Sequence, residues 1–270
     1  MIFRTPLPFA EALESRAVKA VLPTDFRTRL LSEIPAQLRE RAFFSAGVTN
    51  ADFLDRASSA VDDLVTGTVD RATKRLELKK LLDSLSYRPV AGEEGTLTDL
   101  SSDRRLNVIL DTNLEMAQGY GHFAQGQDSA ILDQWPAQEL IDTNPGQTEN
   151  RRDWKQIWMD AGGEFYDGRM IALKNDPIWT RISRFNLPYP PFDFGSYWDV
   201  ADVDRDEAIS LELIDRDTEI LPQSRNFNAG LEAAPSVGPE MQQALLDSLA
   251  DKGIEARFMG DVLKYIGGAS

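Results

Sequence analysis

The chain has 270 residues, no cysteine and a formal net charge of −15. The lack of thiols excludes disulfides, thiolate metal sites and cysteine nucleophiles, and the charge disfavours binding DNA over the whole surface, because a polyanion is held through Lys and Arg. No apolar run approaches the roughly 18 residues of a membrane span, and the start, MIFRTPLPFAEALESR, lacks the basic-then-apolar order of a secretory signal, so a soluble protein made in the cytosol with no membrane partner is expected.

Residues 1–86 read as a helical region. Pro8 to Val21 carries a short amphipathic pattern, and Pro23-Thr24 opens a second one. There Phe26, Leu30, Ile34, Leu38 and Ala42 recur every four residues, the spacing of one helical face, with a break near Pro35. Thr49-Asn50-Ala51-Asp52 has the form of a capping box for a helix through Phe53, Ala57, Val61 and Leu64, ended by Gly67. A further helix runs from Val69 to Leu85. Its Arg71, Arg75 and Lys79 share one face, which reads as a solvated basic stripe rather than a DNA contact. Residues 87–100, with Pro89, Gly92 and Gly95, are the expected linker or loop.

Residues 101–222 are the expected α+β core. A long helix from Ser101 or Ser102 to Gln125 carries one apolar stripe through Leu106, Leu110, Asn113, Ala117, Tyr120 and Ala124. Its second half is rich in small residues, which permits close approach of another segment. Asn113, on the stripe beside Thr112, is expected to bond a different backbone segment, because a buried amide left unpaired costs about 1–3 kcal/mol. Trp135-Pro136 opens a short predicted helix to Ile141, and residues 142–150 form a polar loop. Residues 152–161 are helical, with Trp154, Ile157 and Trp158 on one side. Glu164 to Ala172 reads as a hairpin around Asp167-Gly168, a pair that supplies the positive φ angles of a tight turn. Prolines 188, 190 and 191 forbid a regular element between Asn186 and Ser196. Asp204 and Glu207 cap a helix to Leu213. Residues 223–270 supply a helix from Gly238 to Ala250 and a closing hairpin around Gly260-Asp261. The fold class expected is α+β, mostly helical.

Reactive chemistry is sparse. The single histidine, His122, lies in the small-residue half of the long helix, and no Gly-x-Ser-x-Gly elbow accompanies it. Asp202 to Asp206 imitates the opening of a calcium loop, but Glu207 stands where glycine is needed and Leu213 where glutamate is needed. Gly119-Tyr120-Gly121 lies inside a helix, not between a strand and a helix, so it is no dinucleotide fingerprint. No catalytic, cofactor or metal residue is expected.

Three blocks together resemble the Mu F-like phage head morphogenesis proteins, the minor head proteins of tailed bacteriophages. The first is RAFFSAGVTNADFL, residues 41–54. The second is the helix RLNVILDTNLEMAQGYGHFAQG, matching at Arg105, Leu106, Ile109, Thr112, Asn113, Ala117 and Gly121. The third comprises Gly168 to Leu173, Asp176 to Trp179 and Leu187 to Gly195. The Arg-x-His and Cys-bearing elements of many members are missing: Pro190-Pro191 is followed here by Phe192-Asp193-Phe194. The resemblance implies a virion component of the phage head near the portal, partnered by the portal protein and by capsid or scaffold protein, and a role in DNA delivery. Alternatives are a group transferase or toxin-like enzyme and a DNA-contacting plug using Arg71, Arg75 and Lys79. The structural or interaction candidates are Arg105, Thr112, Asn113, Trp154, Trp158, Trp179, Tyr189, Pro190, Pro191, Phe192 and Phe194. The aromatic and proline-rich stretch from residue 163 to 194 is expected to pack on the long helix around Asn113 rather than line a pocket.

Overall fold

The computed structural model describes residues 10–17, 19–24, 39, 42–145, 152–223, 232–233, 242–243, 246–247, 250, 255–260 and 262–267. The fold is mostly helical α+β, and the chain divides into two compact units: residues 1–118 with 227–270, and residues 119–226.

In the first unit, α1 (Ala10–Ala17) leads into β1 (Ala20–Val21), which pairs in parallel with β2 (Ala42–Phe43). Ala42 was expected on a helical face and is instead extended, its backbone paired with Ala20. Residues 25–38 and 40–41, the rest of that predicted helix, lie outside the described residues. Helix α2 (Ala51–Thr66) starts one residue later than the Thr49 motif suggests, because the Asn50 side chain itself accepts the Phe53 N–H at 2.8 Å. It ends at Gly67, whose φ of +69° closes the last turn. Helix α3 (Arg71–Ser84) is capped by Asp70. The first half of α4 (Asp103–Gly126) completes a core of Phe43, Phe53, Leu54, Leu78, Leu106 and Leu110.

The α3–α4 seam is electrostatic at its edge. Arg71 pairs with Asp111, while Arg75 and Lys79 reach Asp103 at 3.2 and 2.6 Å. The basic stripe is thus paired with carboxylates of the neighbouring helix. The Lys79 hydrogen bond holds the Asp103 carboxyl below its usual range. Its folded pKa therefore lies under the unfolded value of about 3.9, so its contribution is full above that pH and is lost as pH falls through the folded value. We expect Asp103→Asn to lower the melting midpoint at neutral pH and the difference from wild type to shrink as pH falls below the unfolded value of about 3.9. Melts followed by far-UV circular dichroism measure this, and a gap that persists in acid contradicts it.

Residues 87–100 form a tied loop within this unit. Tyr87 Oη accepts the Leu100 N–H at 2.9 Å, Asp99 accepts the Gly95 N–H at 2.9 Å, and Ser102 Oγ donates to Thr96 O at 2.6 Å. The division between units falls inside α4, not at this loop, because Leu106, Ile109 and Leu110 are seated in the helical core of the first unit. At the C-terminal end, β7 (Glu232–Ala233), β8 (Glu255–Met259) and β9 (Val262–Gly267) form an antiparallel sheet in the order β7-β9-β8, with the expected hairpin turning at Gly260. Of the helix expected over 238–250, the described residues 242–243, 246–247 and 250 are helical.

The second unit is built on an antiparallel sheet of order β4-β5-β3-β6: β3 (Ala137–Asp142), β4 (Phe165–Tyr166), β5 (Arg169–Leu173) and β6 (Trp198–Val203). Here the sequence expectation fails at β3. Pro136 is a common first residue of a helix, but residues 137–142 pair along one edge with β5 and along the other with all six residues of β6. Pairing on both sides overrides local preference. The hairpin forms as expected, Asp167 and Gly168 having φ of +51° and +76°. One sheet face packs Leu140, Met170 and Ala172 against the indoles of α6 (Trp154–Asp160) and α7 (Ile178–Ile182). The other packs Ala137, Ile171 and Val203 against α5 (Ser129–Gln134), α8 (Arg205–Ser210) and residues 211–220. Helix α8 is capped by Asp204 as expected but stops at Ser210, short of Leu213, as Glu212 turns to φ +57°. Arg169 of β5 links β3 and α8, donating to Glu139 and to Glu207. Those bonds, with Glu139 foremost, push its pKa above the ordinary value.

Candidate functional site

The aromatic residues singled out in the sequence come together as an inner layer of the second unit. Trp158 and Trp179 meet edge to face at 5.4 Å, and Trp179 stacks on Phe192 at 6.1 Å. Trp154 stacks on Trp198 at 5.8 Å. The two most deeply buried indoles have their N–H satisfied: Trp158 by Glu164 O and Trp179 by Leu173 O, both at 2.8 Å. Phe194 packs against Phe185 at 4.7 Å under the Arg184 guanidinium. Asp193, buried beside Phe192, accepts from Arg152 at 2.9 Å and Arg184 at 3.2 Å. Trp154, Trp158, Trp179, Tyr189, Pro191 and Phe192 are buried, and Pro190 and Phe194 are partly so. They form a core rather than an open contact surface.

The other candidates belong to the first unit. Arg105 donates through Nη2 to Ser45 Oγ at 2.7 Å and Ala46 O at 2.6 Å, fixing the turn before Val48 to α4. Burial lowers its pKa, but a guanidinium stays charged at any physiological pH. Thr112 is buried. Asn113 bonds Ile109 O of its own helix at 2.8 Å, one turn back, and not another segment as expected. The side chain is only half-buried, so a local carbonyl suffices.

The proline strap meets α4 beyond Asn113. The Tyr189 ring lies 5.7 Å from Tyr120 and 5.5 Å from Phe123. At Gly119 a Cβ would fall 1.9 Å from the Pro190 carbonyl oxygen, so only glycine allows this approach. The peptide between Pro190 and Pro191 is cis. Contrary to the sequence expectation, the strap also lines a pocket. A cleft of about 430 Å³ is walled by Phe123, Trp135, Pro188, Tyr189 and Pro190, with Gln138 and Lys174 buried within it and His122, Asp199 and Asp202 exposed along it. Lys174 is 5% exposed and its ammonium sits 2.7 Å from Asp202. Asp202 and Asp204, which mimic a calcium loop in the sequence, thus serve as an ion-pair partner and a helix cap.

Comparison with protein-family models, curated proteins and solved structures gives no match.

The cleft is not legible in the sequence because its members come from α4, α5, β3, β6, the end of β5 and the strap, which only the tertiary fold assembles. The one signal in the sequence is the run of small residues in α4, Ala117, Gly119, Gly121 and Ala124, of which Gly119 lines it. Among the described residues no helix is long and apolar enough to cross a membrane. Gly119→Ala tests the strap contact. Alanine gains about 1 kcal/mol over glycine in a helix, but overpacking against backbone costs up to about 3 kcal/mol. The expected outcome is a lower urea midpoint by tryptophan fluorescence, and a raised midpoint contradicts the contact.

Proposed function

We propose that this chain is a minor head protein of a tailed bacteriophage, a structural component that acts with the portal protein during head assembly. What supports the reading is that the residues carrying the family resemblance are joined in the fold. Arg105, in the second block, bonds Ser45 and Ala46, in the first. The third block supplies Trp179, Tyr189 and Phe192 to the core and strap of the second unit. The matched positions therefore carry structural contacts within this fold.

The partner surface on this reading excludes the aromatic layer, which cannot leave the core without unfolding the unit. The contact falls to exposed residues such as Met159, Phe165 and Tyr197. Co-expression of the chain with a portal protein from the same genome tests the proposal. The expected result is co-purification, with aberrant heads when the gene is deleted. No association together with normal heads overturns it.

A further inference from the structure

The cleft of the second unit has a chemistry that the head-protein reading leaves unused. Its volume, about 430 Å³, falls within the roughly 300–1,000 Å³ of small-ligand sites. Phe123, Trp135 and Tyr189 line it with aromatic surface, and aromatic faces attract cations within about 6 Å of the ring centre. Its fixed charges are unequal. Lys174 is already held by Asp202 at 2.7 Å. Asp199 is exposed and, among the described residues, enters no ion pair; it accepts only the neighbouring Val200 N–H at 2.8 Å. An anionic ligand would have to part Lys174 from Asp202 and lie near Asp199. A cationic ligand gains Asp199 without breaking the existing pair, and the net charge of −15 favours its approach.

We propose that this cleft binds an organic cation: the ammonium or guanidinium end of a flexible aliphatic chain, held between Asp199 and the aromatic wall. Asp199 supplies the charge contact, Trp135 and Tyr189 the apolar sides, and the Lys174–Asp202 pair the fixed floor. Two sources offer this chemistry, a free polyamine and a basic side chain on a partner protein.

The test titrates the full-length protein, at physiological salt, with spermidine, N-acetyl-arginine amide, N-acetyl-glutamine amide and citrate. The readout is the Trp135 indole N–H resonance, assigned with Trp135→Phe. Both cations are expected to shift it, and the neutral amide and citrate are not. Asp199→Asn keeps the oxygen that accepts the Val200 N–H and removes the charge. It should weaken binding about fivefold, the upper end for a partly exposed ion pair. Asp206→Asn, an acid outside the cleft, should leave binding unchanged. Tighter binding of spermidine assigns the site to a free polyamine, and tighter binding of the arginine amide to a protein side chain. No shift with either cation, a stronger response to citrate, or equal weakening by Asp206→Asn overturns the proposal. Were Asp199→Asn to fail to fold, the comparison of cation with citrate in the wild type would decide alone.

Discussion

Trp179→Ala is expected to destabilise residues 119–226 by about 3–5 kcal/mol, the range for deleting a fully buried indole. Trp179 has no exposed surface and lies between Trp158 and Phe192, so its removal opens a cavity lined by two other aromatic groups. Neither neighbour can collapse into it cheaply. Trp158 is tied by its own N–H to Glu164 O, and Phe192 O accepts the Arg184 N–H at 2.8 Å. The lost indole hydrogen bond adds little, because Leu173 O keeps the Asp176 N–H at 2.9 Å. The cost is therefore packing, and Trp179→Phe, which retains one ring, should recover a large part of it. The measurement is direct. All five tryptophans, at 135, 154, 158, 179 and 198, fall within 119–226, so urea unfolding by tryptophan fluorescence follows this unit alone. An unchanged fluorescence midpoint for Trp179→Ala would contradict the assigned role.

What could be read in advance follows from how local each feature is. The helix over 103–126, the Asp167-Gly168 hairpin and the cap at Asp204 depend on residues within a few positions, and sequence carries that information directly. β3 is not legible locally because its state is set by partners more than 25 residues away, Ile171 to Leu173 and Trp198 to Val203. The division of the chain inside α4 was equally hidden, since a continuous amphipathic stripe does not reveal which core each half of the helix joins. The aromatic segment was legible as a region of shape without reactive groups. Its burial was not, because Trp-, Phe- and Pro-rich sequence suits an inner layer and a contact surface alike. The cleft is the extreme case. Lys174, Asp199 and Asp202 carry no local motif, and only the sheet register and the strap bring them together.

The pairing of Arg16 with Asp62 makes a second, asymmetric prediction. Arg16 is 3% exposed. Its Nε donates to Asp62 at 2.7 Å, its Nη2 to Ser58, and its guanidinium lies 5.1 Å from the centre of the Phe43 ring. Its Nη1 is buried and, among the described residues, has no hydrogen-bond partner. Burial pushes the pKa of Arg16 down, and Asp62 opposes that shift. Removing the carboxylate leaves a desolvated cation with less compensation. Removing the cation leaves a carboxylate whose side chain is 42% exposed and which water can solvate. Breaking a buried pair from one side costs about 3–5 kcal/mol. Because solvent screens Asp62, Asp62→Ala is placed at the lower end, about 3 kcal/mol. Arg16→Met, which keeps volume and eliminates both the buried charge and the orphaned Nη1, is expected within about 1 kcal/mol of wild type, as when other buried ion pairs are replaced by apolar groups. In the double variant, Arg16→Met should restore most of what Asp62→Ala loses. Since the tryptophans do not report on this unit, the readout is hydrogen exchange of the α2 amides around Ser58. Equal losses for the two single variants, adding in the double, would mean that the pair is an ordinary surface contact and that Arg16 carries no burial penalty.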